Sequence, residues 1–407
     1  KERNDYLAHY GTNGAAGTGN VITISQASIV DTSTTYEKTL WFPNLQLTLR
    51  PTDFLTLRFA AYQAVARPDF SWRLPQLDVT KTGPPGGGGH GGTYTNITVG
   101  NPQLVDATAN NLEASAQIFG NTLGLLTLSA YYKRIDNLFQ QINGAKVEWP
   151  ANNPNQTMIV NGVHVPLSDA GYHRLDDLVP QFQLSEWLKT PAFANLLHND
   201  INFSITAPYS SPNPSYAWGF ELEHQLNFRF LPVKWLQNIT LTYNIQIARS
   251  ETYFFMEKAV VDTQFNPAQY NSKGRLTQDS SYTSYLDHTV ISTKKPMEDQ
   301  PQLYGNAALG YDIGGFSGRI SVFYQSRYTR LYSVDGTSDA IVGEFVKWDL
   351  ALKEQVTQRI SMVLSIDNLF NKPETRYRYN NVFDWGYLPT QSYLYGRTLD
   401  FGVRVSM

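Results

Sequence analysis

Two kinds of connection alternate along this chain, and that alternation limits the folds open to it. Amphipathic segments of about ten to fifteen residues are joined first by a tight turn and then by a long polar excursion, and the order repeats to the last residue. The tight turns fall at Arg50-Pro51-Thr52-Asp53, Phe119-Gly120-Asn121-Thr122, Leu231-Pro232-Val233-Lys234, Ile313-Gly314-Gly315 and Glu354-Gln355-Val356-Thr357. The excursions cover residues 67–110, 140–214, 252–299, 331–342 and 373–393. Strand pairs that turn tightly at one end and loosely at the other are the pattern of a transmembrane antiparallel β-barrel, with short periplasmic turns and long extracellular loops.

Side-chain parity supports strands. Ile239, Leu241, Tyr243, Ile245 and Ile247 alternate with Asn238, Thr240, Thr242, Asn244 and Gln246. Phe220, Leu222, Leu226, Phe228 and Phe230 alternate with Glu221, Glu223, Gln225, Asn227 and Arg229. Ile360, Met362, Leu364 and Ile366, and then Phe401, Val403, Val405 and Met407, repeat the pattern. Successive strand side chains point to opposite faces, so one face of each segment is apolar and the other wants water. A soluble sandwich also alternates, but its strands average about five or six residues. A tilted strand crosses a bilayer in about nine to eleven residues. Structureless loops beyond about fifteen residues are also uncommon in a compact soluble domain.

Charged residues make up 16% of the 407, well below the usual quarter or so. No apolar run reaches about eighteen residues, which excludes transmembrane helices. A barrel hides its hydrophobicity in alternation and needs no such run. With no cysteine, disulfides, thiol nucleophiles, zinc–cysteine sites and iron–sulfur clusters are ruled out. A net charge of −3 gives no reason to expect a nucleic-acid partner. His9, His90, His164, His173, His198, His224 and His288 are scattered without metal-ligand spacing, so no metal site is expected. His224 falls on the apolar parity of its segment and reads as a neutral imidazole packed on a neighbour rather than a ligand. The chain lacks Gly-x-Ser-x-Gly, His-Glu-x-x-His and a phosphate loop, so no catalytic residue, cofactor or enzymatic activity is expected.

Eleven strands are predicted, at about 36–50, 53–66, 110–120, 123–139, 215–230, 235–251, 300–312, 316–330, 343–354, 358–370 and 394–407. With long loops outside, the first and last strands both descend and run parallel. An odd antiparallel set cannot close that way, and an open edge in lipid leaves unpaired backbone groups. Either residues 19–30 form a further strand, or the chain is the C-terminal part of a longer barrel, and the second reading is preferred. Residues 1–35 are then an extracellular loop segment and 36–407 a C-terminal barrel half. Lys1 is not a start methionine and no signal peptide is visible, so a leader was removed or more chain lies upstream.

Local motifs add a resemblance. Residues 43–70 form a predicted hairpin ending in Ala66-Arg67-Pro68-Asp69-Phe70, and Gly100-Asn101-Pro102-Gln103-Leu104 precedes the next descending strand. Residues 129–139, from Ser129 to Phe139, match the ascending strand after it; Asp367-Asn368-Leu369-Phe370-Asn371-Lys372 and Tyr395-Gly396-Arg397 follow near the end. In kind and order these resemble the TonB-dependent outer-membrane receptors, over about residues 36–407. Met407, where that family usually ends in an aromatic, and Val105-Asp106 depart from its pattern. The resemblance implies a 22-stranded barrel, of which this chain is about the last eleven strands, with a plug domain and a TonB box that are not in this sequence. It also implies energy-coupled uptake of a bulky nutrient, such as an oligosaccharide or an iron–siderophore chelate. The implied partners are TonB with its inner-membrane energising complex, lipid or lipopolysaccharide, and other outer-membrane proteins.

Recognition is expected in the loops, which a rigid scaffold presents. The run at 83–92 reads as a solvated linker in preference to a mobile gate. Residues 168–198 have helix-like spacing in short pieces broken by Pro180 and Pro191 and read as part of a folded cap. Trp72, Trp149, Tyr172, Trp187, Tyr209, Trp385 and Tyr387 are the candidate ligand contacts, because aromatic faces stack on sugars and chelate rings. Trp41, Trp218 and Trp235 lie at strand ends and read as interfacial girdle. Tyr131, Glu221, Glu223, Arg229, Arg319 and Arg404 are expected to face the lumen. Arg67-Pro68 and Asn368 read as structural pins of strand ends. The reading from another functional class is a barrel subunit of a larger surface complex. A passive porin is the third, disfavoured by long loops and many strands.

Overall fold

The computed structural model describes residues 2–8, 32–74, 77–82, 94–148, 157–160, 163–166, 173–174, 203–334, 336–380 and 386–405. Eleven strands form one meandering sheet: β1 (Asn44–Thr52), β2 (Leu55–Ala66), β3 (Ala107–Gly120), β4 (Gly124–Asp136), β5 (Ser215–Asn227), β6 (Ile239–Asn266), β7 (Leu303–Ile313), β8 (Phe316–Gln325), β9 (Phe345–Gln355), β10 (Ile360–Asp367) and β11 (Thr398–Val405). Each bonds its sequence neighbours, in the order β1 to β11, and every pairing is antiparallel. Among the described residues, β1 and β11 are the outer strands, each bonded on one side.

The register turns the sequence alternation into two faces. One row runs Leu47, Phe59, Ala114, Ala130, Phe220, Ile247, Leu303 across seven strands. A second runs Leu309, Ile320, Leu350, Ile366, Leu399 across the rest. The opposite face carries Thr48, Arg58, Ser115, Ser129, Glu221, Gln246, Tyr304 and Gln325 in one row. A one-residue slip in any ladder would exchange the faces of the strands beyond it, so the pattern holds the register.

The apolar face is uncovered by protein. Phe220 is 62% exposed, Phe401 64% and Val405 65%. A patch spanning eleven strands far exceeds what a soluble monomer leaves in water, and lipid is the solvent that satisfies it. Exposed aromatics mark the strand ends, with Trp41 and Trp218 at the long-loop end and Phe230 and Trp235 at the short-turn end. No helix among the described residues is long and apolar enough to cross a membrane.

The protein-lined core lies instead in the loops. Ile97, Val99, Leu104, Ile142, Ala145, Ile205, Ala207 and Tyr209 are buried, and most belong to a five-stranded sheet built from two excursions. Its order is His173–Arg174, Phe139–Glu148, Phe203–Ser210, Tyr94–Val99, Leu77–Thr82. Phe203–Ser210 pairs antiparallel with Phe139–Glu148 and parallel with Tyr94–Val99. The next excursion continues a spanning ladder: β6 runs on to Asn266 and pairs with Ser281–Lys295 over Thr252–Asn266. The last two excursions form a four-stranded sheet of Tyr328–Leu331, Asp339–Val342, Glu374–Tyr379 and Tyr387–Tyr393. Among the described residues, the long connections are therefore largely β-structure.

Several predicted bounds move. The strand expected at 36–50 starts at Asn44, while Thr32–Lys38 pairs with Glu2–Ala8 in a separate hairpin. The segment at 123–139 breaks at Asn137, whose φ is 57°, and Phe139 begins a loop-sheet strand. The segment at 215–230 ends at Asn227, so Phe228 and Phe230 stack in the turn, their centroids 6.3 Å apart. The segment at 316–330 ends at Gln325, and Tyr328–Leu331 joins the four-stranded sheet. Residues 19–30 and the run at 83–92 lie outside the described residues, as does 168–198 apart from His173–Arg174.

Candidate functional site

The polar face of the eleven-stranded sheet forms a hollow of about 740 Å³ lined by Gln46, Thr48, Arg58, Tyr62, Glu113, Tyr131, Lys133, Glu221, Gln246 and Gln300, among others. Its side chains are tied laterally, strand to strand. Arg58 Nη1 donates to Gln117 Oε1 (3.1 Å) and the Tyr62 hydroxyl to Glu113 Oε1 (2.7 Å). Asn244 Nδ2 donates to Glu221 Oε1 (2.6 Å), and the Tyr304 hydroxyl to Gln246. Lys133 Nζ lies 5.4 Å from the Tyr131 ring centroid. These bonds between neighbouring strands leave the surface polar and stiff.

The predicted lumen residues divide. The ladder places Tyr131, Glu221, Glu223, Arg319 and Arg404 on this polar parity. Arg319 pairs with Asp312 (2.8 Å). Arg229 sits in the turn after β5. His224 packs as its parity suggests: Nε2 lies 2.6 Å from the Leu123 carbonyl oxygen and Nδ1 3.1 Å from the Tyr243 hydroxyl. A carbonyl only accepts, so the ring proton sits on Nε2 and Nδ1 accepts from the tyrosine.

Three aromatic candidates, Trp72, Tyr209 and Tyr387, lie among the described residues of the excursions. Trp72 is half-buried and meets Phe139 edge-on, with centroids 6.0 Å apart. It belongs to the short helix Phe70–Arg73, which Asp69 caps by accepting from the Ser71 hydroxyl at 2.7 Å and from Ser71 N at 2.8 Å; those hydrogen bonds hold the Asp69 carboxyl below the usual range. The helix is anchored by the buried ion pair of Arg73 with Asp106. Tyr209 is 1% exposed. Its hydroxyl donates to Gln140, its ring lies edge-on to Phe255 at 5.4 Å, and burial pushes its hydroxyl pKa up. It packs the loop core and offers no open face.

Tyr387 is 44% exposed and stacks on Tyr379 at 4.8 Å, with the Arg327 guanidinium 4.0 Å from its ring centroid. Tyr377 closes the group edge-on at 6.3 Å. Trp149, Tyr172, Trp187 and Trp385 lie outside the described residues. Of the three candidates among the described residues, Trp72 and Tyr209 belong to the region of the five-stranded loop sheet and Tyr387 to the four-stranded one.

Sequence reasoning missed Arg58, Tyr62, Glu113, Lys133 and Gln246 as hollow-lining groups. Gln246 was placed on the polar parity of its segment, but only the pairing of distant strands brings the five together around one hollow. Among the described residues, no group of three or more histidines and carboxylates could hold a metal.

The motifs serve the frame. Asn101 Nδ2 donates to the Pro208 carbonyl (3.0 Å) and its Oδ1 accepts from Gln103 N (3.0 Å), which fastens the 67–106 excursion to the 203–210 strand. A Cβ on Gly100 would lie 1.8 Å from the Leu74 carbonyl oxygen, so only glycine fits there.

A family model described as TonB dependent receptor-like, beta-barrel, matches residues 3–369. Among solved structures, the chain is similar to a mutant ferric enterobactin receptor, PfeA, from Pseudomonas aeruginosa in complex with enterobactin, at 14% identity and TM-score 0.49, covering 92% of this chain and 40% of that one. It is similar to the siderophore receptor PirA from Acinetobacter baumannii at 14% identity and TM-score 0.48, covering 93% and 42%. It is also similar to the ferric yersiniabactin uptake receptor FyuA from Yersinia pestis at 14% identity and TM-score 0.41, covering 93% and 38%. The chain spans about 40% of the length of these structures. With the family model matching across nine-tenths of its length, onto a sheet with one lipid-facing and one polar side, this chain belongs to the TonB-dependent receptor-like β-barrel family of outer-membrane proteins.

Proposed function

We propose that the chain is the C-terminal barrel part of an outer-membrane receptor that takes up a bulky nutrient, an oligosaccharide or siderophore chelate, with energy supplied through TonB. The contact with TonB would be made by a segment outside residues 1–407. The observation that carries this reading is the pairing of a lipid-facing sheet with long loops folded into β-sheets at one end. A simple diffusion pore needs no such folded loops, whereas a receptor needs a rigid frame for selective contacts. Trp72 and Tyr387, with Trp149, Tyr172, Trp187 and Trp385, are the proposed ligand contacts, since flat aromatic faces suit sugars and catecholate-like rings, and Tyr387 adds the Arg327 guanidinium beside its ring. Tyr209 acts in this proposal as support for the loop core.

The test is uptake by cells expressing the full-length gene product, screened against labelled oligosaccharides and ferric chelates. Accumulation of one ligand should fall to background when a protonophore collapses the proton gradient or when TonB is deleted. Accumulation that continues unchanged would replace the reading with a passive pore.

A further inference from the structure

The four-stranded loop sheet carries more positive charge than its own carboxylates neutralise. Its strands hold Arg330, Arg376 and Arg378 against Asp339 and Glu374, and Arg327 stands one residue before the first of them. Both carboxylates are engaged. Asp339 is buried, accepts from Ser333 N at 2.8 Å and lies 3.7 Å from Lys295. Glu374 accepts from the Tyr395 hydroxyl at 3.1 Å and lies 3.8 Å from Arg376. Arg327, Arg330 and Arg378 are exposed, and among the described residues none of the three has a carboxylate within ion-pair distance.

Arg327 is held where an anion can reach it. Tyr387 lies on the last strand of this sheet and Arg327 beside the first, yet the Arg327 guanidinium is 4.0 Å from the Tyr387 ring centroid. The sheet therefore curls toward the face that carries Tyr377 and Tyr379, which alternate with Arg376 and Arg378 along their strand. Tyr379 stacks on Tyr387 at 4.8 Å, and Tyr377 meets it edge-on at 6.3 Å. Gly343 makes room for this group, since a Cβ there would lie 2.7 Å from Tyr377 Cε2. A guanidinium is planar and carries its N–H donors as a fork in that plane. Stacking on a ring occupies its flat face and leaves the donor edge open.

We infer that Arg327, held on Tyr387 beside Tyr377 and Tyr379, binds the carboxylate or sulfate group of an acidic oligosaccharide. The fork donates two parallel hydrogen bonds to such a group, and charge-assisted bonds are about twice as strong as neutral ones. The C–H face of the sugar packs against the tyrosines. Arg330 and Arg378 extend the positive field beyond this group and steer a polyanion toward it. Arg376 and Arg378 stand roughly 7 Å apart along their strand. Cations separated in this way suit an extended ligand with an anion on successive units better than a compact one. The inference rests on the uptake reading above and narrows its nutrient to an acidic glycan.

The experiment measures binding kinetics of the full-length receptor in detergent on immobilised oligosaccharides. The acidic probes are oligogalacturonate, oligomannuronate and a sulfated galactan oligomer. The comparisons are maltohexaose and the carboxyl-reduced or desulfated form of each acidic probe. The variants are R327A, R327K, R330A/R378A, and R359A in the opposite short turn, each checked for its heat-modifiable band. Wild type should bind at least one acidic probe, and the charge-neutralised form of that probe at least about tenfold more weakly. R327A should weaken the acidic probe about tenfold to a hundredfold, as expected for a lost hydrogen bond to a charged group. R327K should keep part of the affinity, because it keeps the charge and loses the fork. R330A/R378A should slow association and leave dissociation unchanged, and R359A should match wild type. Equal affinity for acidic and neutralised probes overturns the inference, as does folded R327A that binds like wild type. Wild type that binds no acidic probe while cells still take up a ferric chelate through TonB sinks this site alone. Acidic binding lost in R327A, with accumulation that ignores TonB, sinks the uptake reading and leaves the site.

Discussion

Asn368 holds a left-handed backbone, with φ at 53°, and closes the end of β10. Its Nδ2 donates to the Lys372 and Gly396 carbonyls at 3.2 and 3.1 Å, its Oδ1 accepts from Lys372 N, and its own N–H donates to Asp349 Oδ1. Asparagine tolerates this conformation better than other non-glycine residues. N368A removes three side-chain bonds from a buried site and keeps the strained backbone. It should cost about 1–3 kcal/mol, read as a lower urea midpoint of the protein folded into micelles. At Gly100 the conflict is steric. G100A should loosen the five-stranded loop sheet by about 1–3 kcal/mol, seen as faster protease cleavage within 67–106 while the heat-modifiable barrel persists. Asn368 was read from the sequence as a pin of its strand end, and the Gly100 motif was visible there only as a family resemblance. Their partners were not, because Pro208 and Gly396 approach only after distant strands have paired.

At the scale of elements, the segment after the β6 hairpin docks on the 326–339 loop. Glu298 Oε1 accepts from Tyr332 N at 2.7 Å. Lys295 lies 3.7 Å from Asp339 and 4.3 Å from the Tyr332 ring centroid. Burial pushes the Glu298 carboxyl up to about 7, with Asp299 and Asp339 adding repulsion and Lys295 opposing it. Burial likewise pulls the Lys295 ammonium down. A carboxyl raised in the folded state stabilises docking fully below its unfolded pKa, near 4.5, and loses that contribution as pH rises through about 7. Hydrogen exchange of residues 296–339 should therefore accelerate, beyond the intrinsic pH effect, across that window. E298Q should remove the window; an unchanged profile would assign the docking to other contacts. The excursion at 252–299 was legible as an extracellular element from its length and polarity. That it is a hairpin prolonging β6, and that strands more than a hundred residues apart pair in parallel in the first loop sheet, follows from long-range contacts that no local pattern encodes.

For the whole molecule, the two faces make a directional expectation. Ile245 lies on the apolar row of β6 and Thr242 on the polar one. I245R places a guanidinium in hydrocarbon and should cost about 2–4 kcal/mol of folding into phosphatidylcholine vesicles. T242R should change stability by no more than about 0.5 kcal/mol. Similar costs for both would mean that the sheet is wet on both sides, and the membrane reading would fall. All eleven spanning strands were legible because each carries its own alternation, and a period of two survives without knowledge of any neighbour. Strand ends were less legible: Phe228 and Phe230 keep the alternation into a turn, so periodicity overshot the ladder by three residues.

The sequence alone determined the existence of the eleven spanning strands, their two-faced alternation and the asymmetry between short turns and long loops. These are one-dimensional properties, carried by local side-chain chemistry and chain length. Tertiary structure decided which polar residues line the hollow together, and that Tyr209 is buried while Tyr387 is open. Those relations depend on ladder register and on pairings between distant loops, and register is a property of two strands together.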